Sequence, residues 1–183
     1  MSSDSQDVFA VRSAAILDEG LQRGQADALL AGIACAQRRA GRQVRGLVMI
    51  RTEGAVGCAG DMVLIDVHTL DEYLVSQPLG RGAAGCRADP QGFARASQVL
   101  RDAALQAPDL VICNRFGGLE AEGAGFTQEL LTLMAAGLPL LTVVAPQHLA
   151  AWERFSGGTT MLAADAQAIE GWIEQALAAP EAS

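Results

Sequence analysis

Asp109-Leu-Val-Ile-Cys-Asn-Arg-Phe-Gly-Gly-Leu-Glu-Ala-Glu-Gly-Ala-Gly-Phe126 decides the reading of the fold. Asp109 to Cys113 has the continuous apolar character of a strand buried on both faces of a sheet, and Phe126 to Ala136 reads as a helix. Between them lies a polar, glycine-dense connection of about a dozen residues, where ~2–6 is usual for such units. Asn114, Arg115, Glu120 and Glu122 therefore belong at the carboxyl end of a strand, the edge at which open α/β sheets bind ligands.

Working outward, Val11 to Leu17 reads as a first strand and Gln25 to Ala40 as a helix closed by Gly41. Gln43 to Thr52 is a second strand. Met62 to Val67 and Tyr73 to Val75 are short apolar stretches that predict a β-hairpin. Asp89-Pro90 starts a helix that runs to about Gln106, because Asp caps free amides and Pro suits the first turn. Leu138 to Val144, Gln147 to Phe155, Thr159 to Ala163 and Asp165 to Ala178 continue as strand, helix, strand and helix. This alternation predicts a three-layer α/β fold: a mainly parallel sheet with helices on both faces and a β-hairpin insertion. Residues 1–10 are expected to be a disordered leader and 11–179 a single domain.

Half of the 183 residues are hydrophobic and 19% are charged, which is a folded composition. All 13 basic residues are arginine. Schiff-base chemistry and a phosphate-binding loop ending in Gly-Lys-Ser/Thr both need a lysine, so both are excluded. The net charge of -8 disfavours general attraction to nucleic acid or an anionic membrane, while leaving room for a local arginine site for a small anion. The polar, acidic start lacks the basic and apolar regions of a secretory signal, and no apolar run approaches the ~20 residues of a membrane span. A cytoplasmic protein with reduced thiols is expected.

Three loops concentrate polar chemistry. Asp18 to Asp27 follows the first strand, where a phosphate-binding loop would stand, but it has neither the lysine nor a Gly-x-Gly-x-x-Gly run, and Asp18 and Glu19 would repel phosphate. Gly80-Arg-Gly-Ala-Ala-Gly-Cys-Arg-Ala-Asp-Pro90 combines flexible glycines, a helix start and the forked donors of Arg81 and Arg87. Those are the ingredients of an oxyanion site, with Gly82, Gly85 and Cys86 supplying backbone amides. In the third loop, Glu120 and Glu122 could hold magnesium or act as a general base, or one of them could simply pair with Arg115. Cys58 and Cys86 join the two glutamates as candidate metal ligands, whereas Cys35 and Cys113 sit in apolar patterns and are expected in the core. His68 and His148 have no triad context, and Trp152 with Phe155 has the spacing of core packing.

The ordered set Cys58-Ala-Gly-Asp-Met62, Gly82-Ala-Ala-Gly-Cys-Arg-Ala-Asp89, Asn114-Arg-Phe-Gly-Gly-Leu-Glu-Ala-Glu-Gly123 and His148-Leu-Ala-Ala-Trp152 resembles a bacterial family, a domain of unknown function, over nearly the whole chain after the leader. Members of that family are often encoded beside molybdate ABC-transporter genes. More distantly, Asn114 to Glu122 is similar to the acidic strand-end segment of small nucleoside triphosphatases with a phosphate-binding-loop fold. The resemblance implies a nucleotide-binding-like fold and a molybdenum context.

Together these readings give an expected function: a cytoplasmic protein that binds a small oxyanion, molybdate being the candidate, in support of molybdenum uptake or handling. Arg81, Gly82, Gly85, Cys86, Arg87, Asn114 and Arg115 would hold the anion. One alternative is a divergent nucleotide hydrolase or transferase using Glu120 or Glu122 with magnesium. A second is an interaction subunit without a small ligand. Expected partners are a small anion and either a second copy or a molybdenum-pathway protein, with neither nucleic acid nor membrane insertion. The carboxyl ends of the strands ending near Leu17 and Cys113 are expected side by side, with the Gly80 to Asp89 loop over the same edge.

Overall fold

The computed structural model of the chain describes residues 12–51, 60–77 and 88–179. The leader, Cys58 and the five loop residues Arg81, Gly82, Gly85, Cys86 and Arg87 lie outside the described residues.

Among the described residues, the elements in order are β1 (Ser13–Leu17), α1 (Gln25–Arg39) and β2 (Val44–Arg51), followed by β3 (Met62–Asp66) and β4 (Glu72–Leu74). Next come α2 (Pro90–Gln106), β5 (Leu110–Ile112), a short α3 (Gly118–Ala121) and α4 (Thr127–Ala135). The remainder is β6 (Leu140–Val144), a 3-10 turn at Pro146–His148, α5 (Leu149–Ser156), β7 (Thr160–Leu162) and α6 (Ala166–Ala178). Local chemistry sets several boundaries. The Asp89 carboxylate accepts the amide of Gln91 at the start of α2, and Asp165 accepts that of Ala168 at the start of α6.

The seven strands form one mixed, mostly parallel sheet in the order β4-β3-β2-β5-β6-β1-β7. β1 pairs in parallel with β6 and β7, and β5 pairs in parallel with β2 and β6. β2, β3 and β4 pair antiparallel in succession and carry the sheet to one edge. The expected adjacency of β1 and β5 is corrected, because β6 lies between them: Leu140 pairs with Ser13 on one side and Val111 on the other. The sequence Leu-Leu-Thr-Val-Val of β6 is buried throughout, as a strand with neighbours on both edges requires.

Alternate residues of the central strands point into two separate cores. Ala15, Val111, Cys113, Leu140 and Val144 pack with Leu100 of α2, Leu130 and Leu133 of α4 and Trp152 of α5. Ala14, Ile16, Leu110, Ile112, Leu141 and Val143 pack with Leu30 of α1 and with Ile169 and Ile173 of α6. Close contact between β2 and β5 depends on Gly46. It has φ +119°, and a Cβ there would stand 1.9 Å from the Ile112 carbonyl oxygen. Of the two cysteines expected in the core, Cys113 is buried but Cys35 is exposed on α1, because its side chain falls outside the stripe formed by Leu30, Ile33 and Ala34.

Candidate functional site

The connection that leaves β5 is built from the inside. The Asn114 side chain is buried and its Oδ1 accepts the Met49 amide at 2.9 Å, which ties the carboxyl end of β5 to that of β2. Phe116 follows the sheet for one more step, its amide donating to the Val143 carbonyl at 2.9 Å, and its ring packs edge-on against Trp152. The chain then turns into α3, a helix hidden in sequence by the glycines around it. Glu120 holds this turn: one carboxylate oxygen accepts the Gly117 amide at 2.9 Å and the other the Phe126 amide at 3.0 Å. Only glycine fits beside it at position 125, where φ is +58° and a Cβ would lie 2.1 Å from Glu120 Oε1. Glu120 is 6% exposed, whereas Glu122, two residues on, is exposed. The two carboxylates that look equivalent in sequence therefore have different surroundings: Glu120 braces the loop and Glu122 faces solvent.

Arg115 crosses the carboxyl edge toward β1. Its two terminal nitrogens reach Asp18 and Asp27, each at 3.2 Å. This corrects the pairing of Arg115 with Glu120 or Glu122 considered from sequence. Glu120 is engaged by backbone amides, while Asp27 is buried and needs a cation. Asp27 stands in the first turn of α1, where the helix dipole also favours a carboxylate, and Arg51 Nε approaches its second oxygen at 3.4 Å. Asp18 and Asp27 thus place negative charge, neutralised by two arginines, where a phosphate-binding loop would place its ligand. Arg51 and Asp27 are the site residues that sequence reasoning passed over. The signal for Arg51 is its position as the last residue of an apolar strand, and Arg115 likewise stands just beyond the carboxyl end of one.

Burial in the apolar interior pushes the Cys113 thiol well above its ordinary range, and the carboxylates of Glu120 and Glu129 push it further. It is a core residue just beneath the site, fully buried. Among the described residues no cluster of three metal-ligating side chains occurs.

A cavity of about 250 Å³ opens between the ends of β2, β3 and β5. Arg51, Asn114, Arg115 and Glu120 line it, and so does Ala88, the residue directly after Arg87. Glu122 is not part of the lining.

These features define an α/β protein with a small cleft, two arginines in its wall, at the carboxyl edge of a mostly parallel sheet. The chain belongs to the family described as DUF2478, protein of unknown function, which it matches over residues 14–172. It is also 38% identical over 173 residues to a protein of Bradyrhizobium diazoefficiens named molybdenum import ATP-binding protein ModC 2. That match takes in 94% of this chain and 19% of the relative, so the chain spans about a fifth of the relative's length. No solved structure matches. No helix among the described residues is long and apolar enough to cross a membrane.

Proposed function

We propose that this protein is a nucleotide-binding-like α/β domain that acts in molybdenum handling by holding a small oxyanion, with molybdate the candidate. The observation that carries this reading is the cleft itself. Asn114 and Arg115 line it from one side, and Ala88, directly following the arginine-bearing glycine loop, lines it from another. Arg81, Arg87 and the amides of Gly82, Gly85 and Cys86 are proposed as the anion's principal donors, joined by Asn114 and Arg115. Forked guanidinium donors suit a tetrahedral oxyanion. Molybdenum is suggested by the relative, which is named for molybdenum import. A three-layer arrangement of one domain over 11–179, with β3 and β4 as a hairpin insertion, is part of the same proposal, as is a cytoplasmic location.

Calorimetric titration with molybdate, sulfate and phosphate tests the reading. Each charge-assisted contact should contribute on the order of 1.5–3 kcal/mol. Arg87→Ala should therefore weaken binding by roughly tenfold to a hundredfold, since ~1.4 kcal/mol is one decade. Arg87→Lys should restore only part of the loss, because an ammonium keeps the charge and loses the fork. Arg154, exposed on α5 and outside the cleft lining, provides the control position. Equal affinity of Arg87→Ala and the unmodified protein would remove the assignment.

A second reading, a nucleotide hydrolase or transferase using Glu120 or Glu122 with magnesium, draws on the words "ATP-binding" in the relative's name. Only Glu122 has a carboxylate not already engaged by the loop's amides.

A further inference from the structure

The cleft is larger and more apolar than a bare oxyanion requires. At ~30 Å³ per water, about 250 Å³ corresponds to roughly eight waters, several times the space of one small tetrahedral anion. Apart from the polar residues already named, Met49, Met62, Leu64, Phe93, Leu119 and Phe126 form most of its wall. A bare anion held at the polar end would leave this apolar wall uncovered.

The sheet register orders these residues into a gradient. Met49 pairs with Leu64, and Arg51, two residues further along β2, pairs with Met62. Since i and i+2 share a face of a strand, the cation stands at the strand's end and the apolar surface continues inward from it. The partly exposed Phe93 packs on the buried Phe126, with ring centroids 5.2 Å apart and planes inclined at 44°. Thioethers and aromatic rings together favour an aromatic guest through sulfur–ring and ring–ring contacts. The Asn114 amide adds direction. Its Oδ1 is taken by the Met49 amide, and its NH2 has no partner among the described residues.

We propose that the ligand of this cleft is a phosphorylated or otherwise oxyanion-bearing aromatic compound, its ring against the partly exposed Met62, Phe93 and Leu119 and its anionic group toward Arg51, Asn114 and Arg115. This rests on the oxyanion reading above and assigns the class of molecule that carries the oxyanion.

Matched ligands separate the two claims. Calorimetry on the full chain with orthophosphate, phenyl phosphate and cyclohexyl phosphate holds the head group constant while changing the body. Phenyl phosphate should bind at least tenfold tighter than orthophosphate and several-fold tighter than cyclohexyl phosphate. Phe93→Ala should cut the phenyl-to-orthophosphate ratio to below threefold, and Arg51→Gln should weaken phenyl phosphate by about tenfold. If orthophosphate and phenyl phosphate bind equally well, the aromatic assignment fails while the oxyanion reading stands. Equal binding of the phenyl and cyclohexyl compounds would leave an apolar body and overturn an aromatic one. Absence of binding by all three would overturn the aromatic assignment, and absence of molybdate binding as well would overturn the oxyanion reading. The ligand comparison on the unmodified protein decides the matter even if a variant does not fold.

Discussion

Two buried carboxylates, Glu120 and Asp27, carry the site, and each is satisfied differently. Glu120 accepts two backbone amides from either end of its own loop. Replacing it with Gln leaves an NH2 facing one of those amides, donor against donor, and should destabilise the protein by about 1–3 kcal/mol. Urea denaturation reads this directly, and an unchanged midpoint would remove Glu120 as the loop's brace. Asp27 instead depends on cations. Arg115→Ala strips it of its 3.2 Å partner and leaves Arg51 at 3.4 Å, so a loss of about 2–4 kcal/mol is expected, somewhat under the usual range for a buried pair because Arg115 is 23% exposed. Adding Asp27→Asn to Arg115→Ala should recover part of that loss, since it removes the stranded charge. Strictly additive single and double variants would show that the two residues are not coupled.

At the scale of elements, Gly46 gives the sharpest expectation. Alanine there must adopt φ +119° and overlap the Ile112 carbonyl in the middle of the sheet, so β2 and β5 would have to separate. Gly46→Ala should cost more than 3 kcal/mol or prevent folding, whereas alanine at Gly32, whose Cβ would meet nothing within 4 Å on α1, should be neutral or mildly stabilising. Thermal melts of the two variants check the contrast. Elements whose limits are set by neighbouring residues could be read from sequence: Asp89-Pro90 and Asp165 start helices by capping, and Gly41 with φ +85° ends one. Helix α3 could not, because what holds it is a side chain reaching the backbone of Gly117 and Phe126, while Gly117-Gly118 looks like loop. Nor could the insertion of β6 between β1 and β5, since nothing in either strand specifies which apolar run pairs beside it. The site shows the same division. Its position at the end of β5 follows from local pattern, but the partners of Arg115 lie 97 and 88 residues earlier and meet it only through the fold.

For the whole molecule, two consequences follow from where charge and protons are held. Burial first, and then nearby carboxylates, raise both the Cys113 thiol and the Tyr73 phenol. Each group keeps its proton to higher pH in the folded than in the unfolded chain. Stability should therefore fall as pH rises above ~8.5, where an unfolded thiol begins to ionise, and these two groups should add no pH dependence at neutral pH. Cys113→Ser should flatten the alkaline part of that curve, as measured by denaturant midpoints from pH 7 to 10. The second consequence concerns phosphoryl transfer. Such chemistry relies on cations and a metal that grip the phosphates and stabilise the charge developing on the transferred group. This chain contains no lysine, and beside the first turn of α1, where a phosphate-binding loop would cradle its phosphates, it presents the Asp18 and Asp27 carboxylates. Purified protein with magnesium and ATP or GTP should accordingly show no turnover above that of a buffer blank. Exposed Glu122 is the carboxylate of the pair open to a metal ion, so magnesium-dependent turnover abolished by Glu122→Gln, with the denaturation midpoint unchanged, would establish the hydrolase reading in place of the binding one.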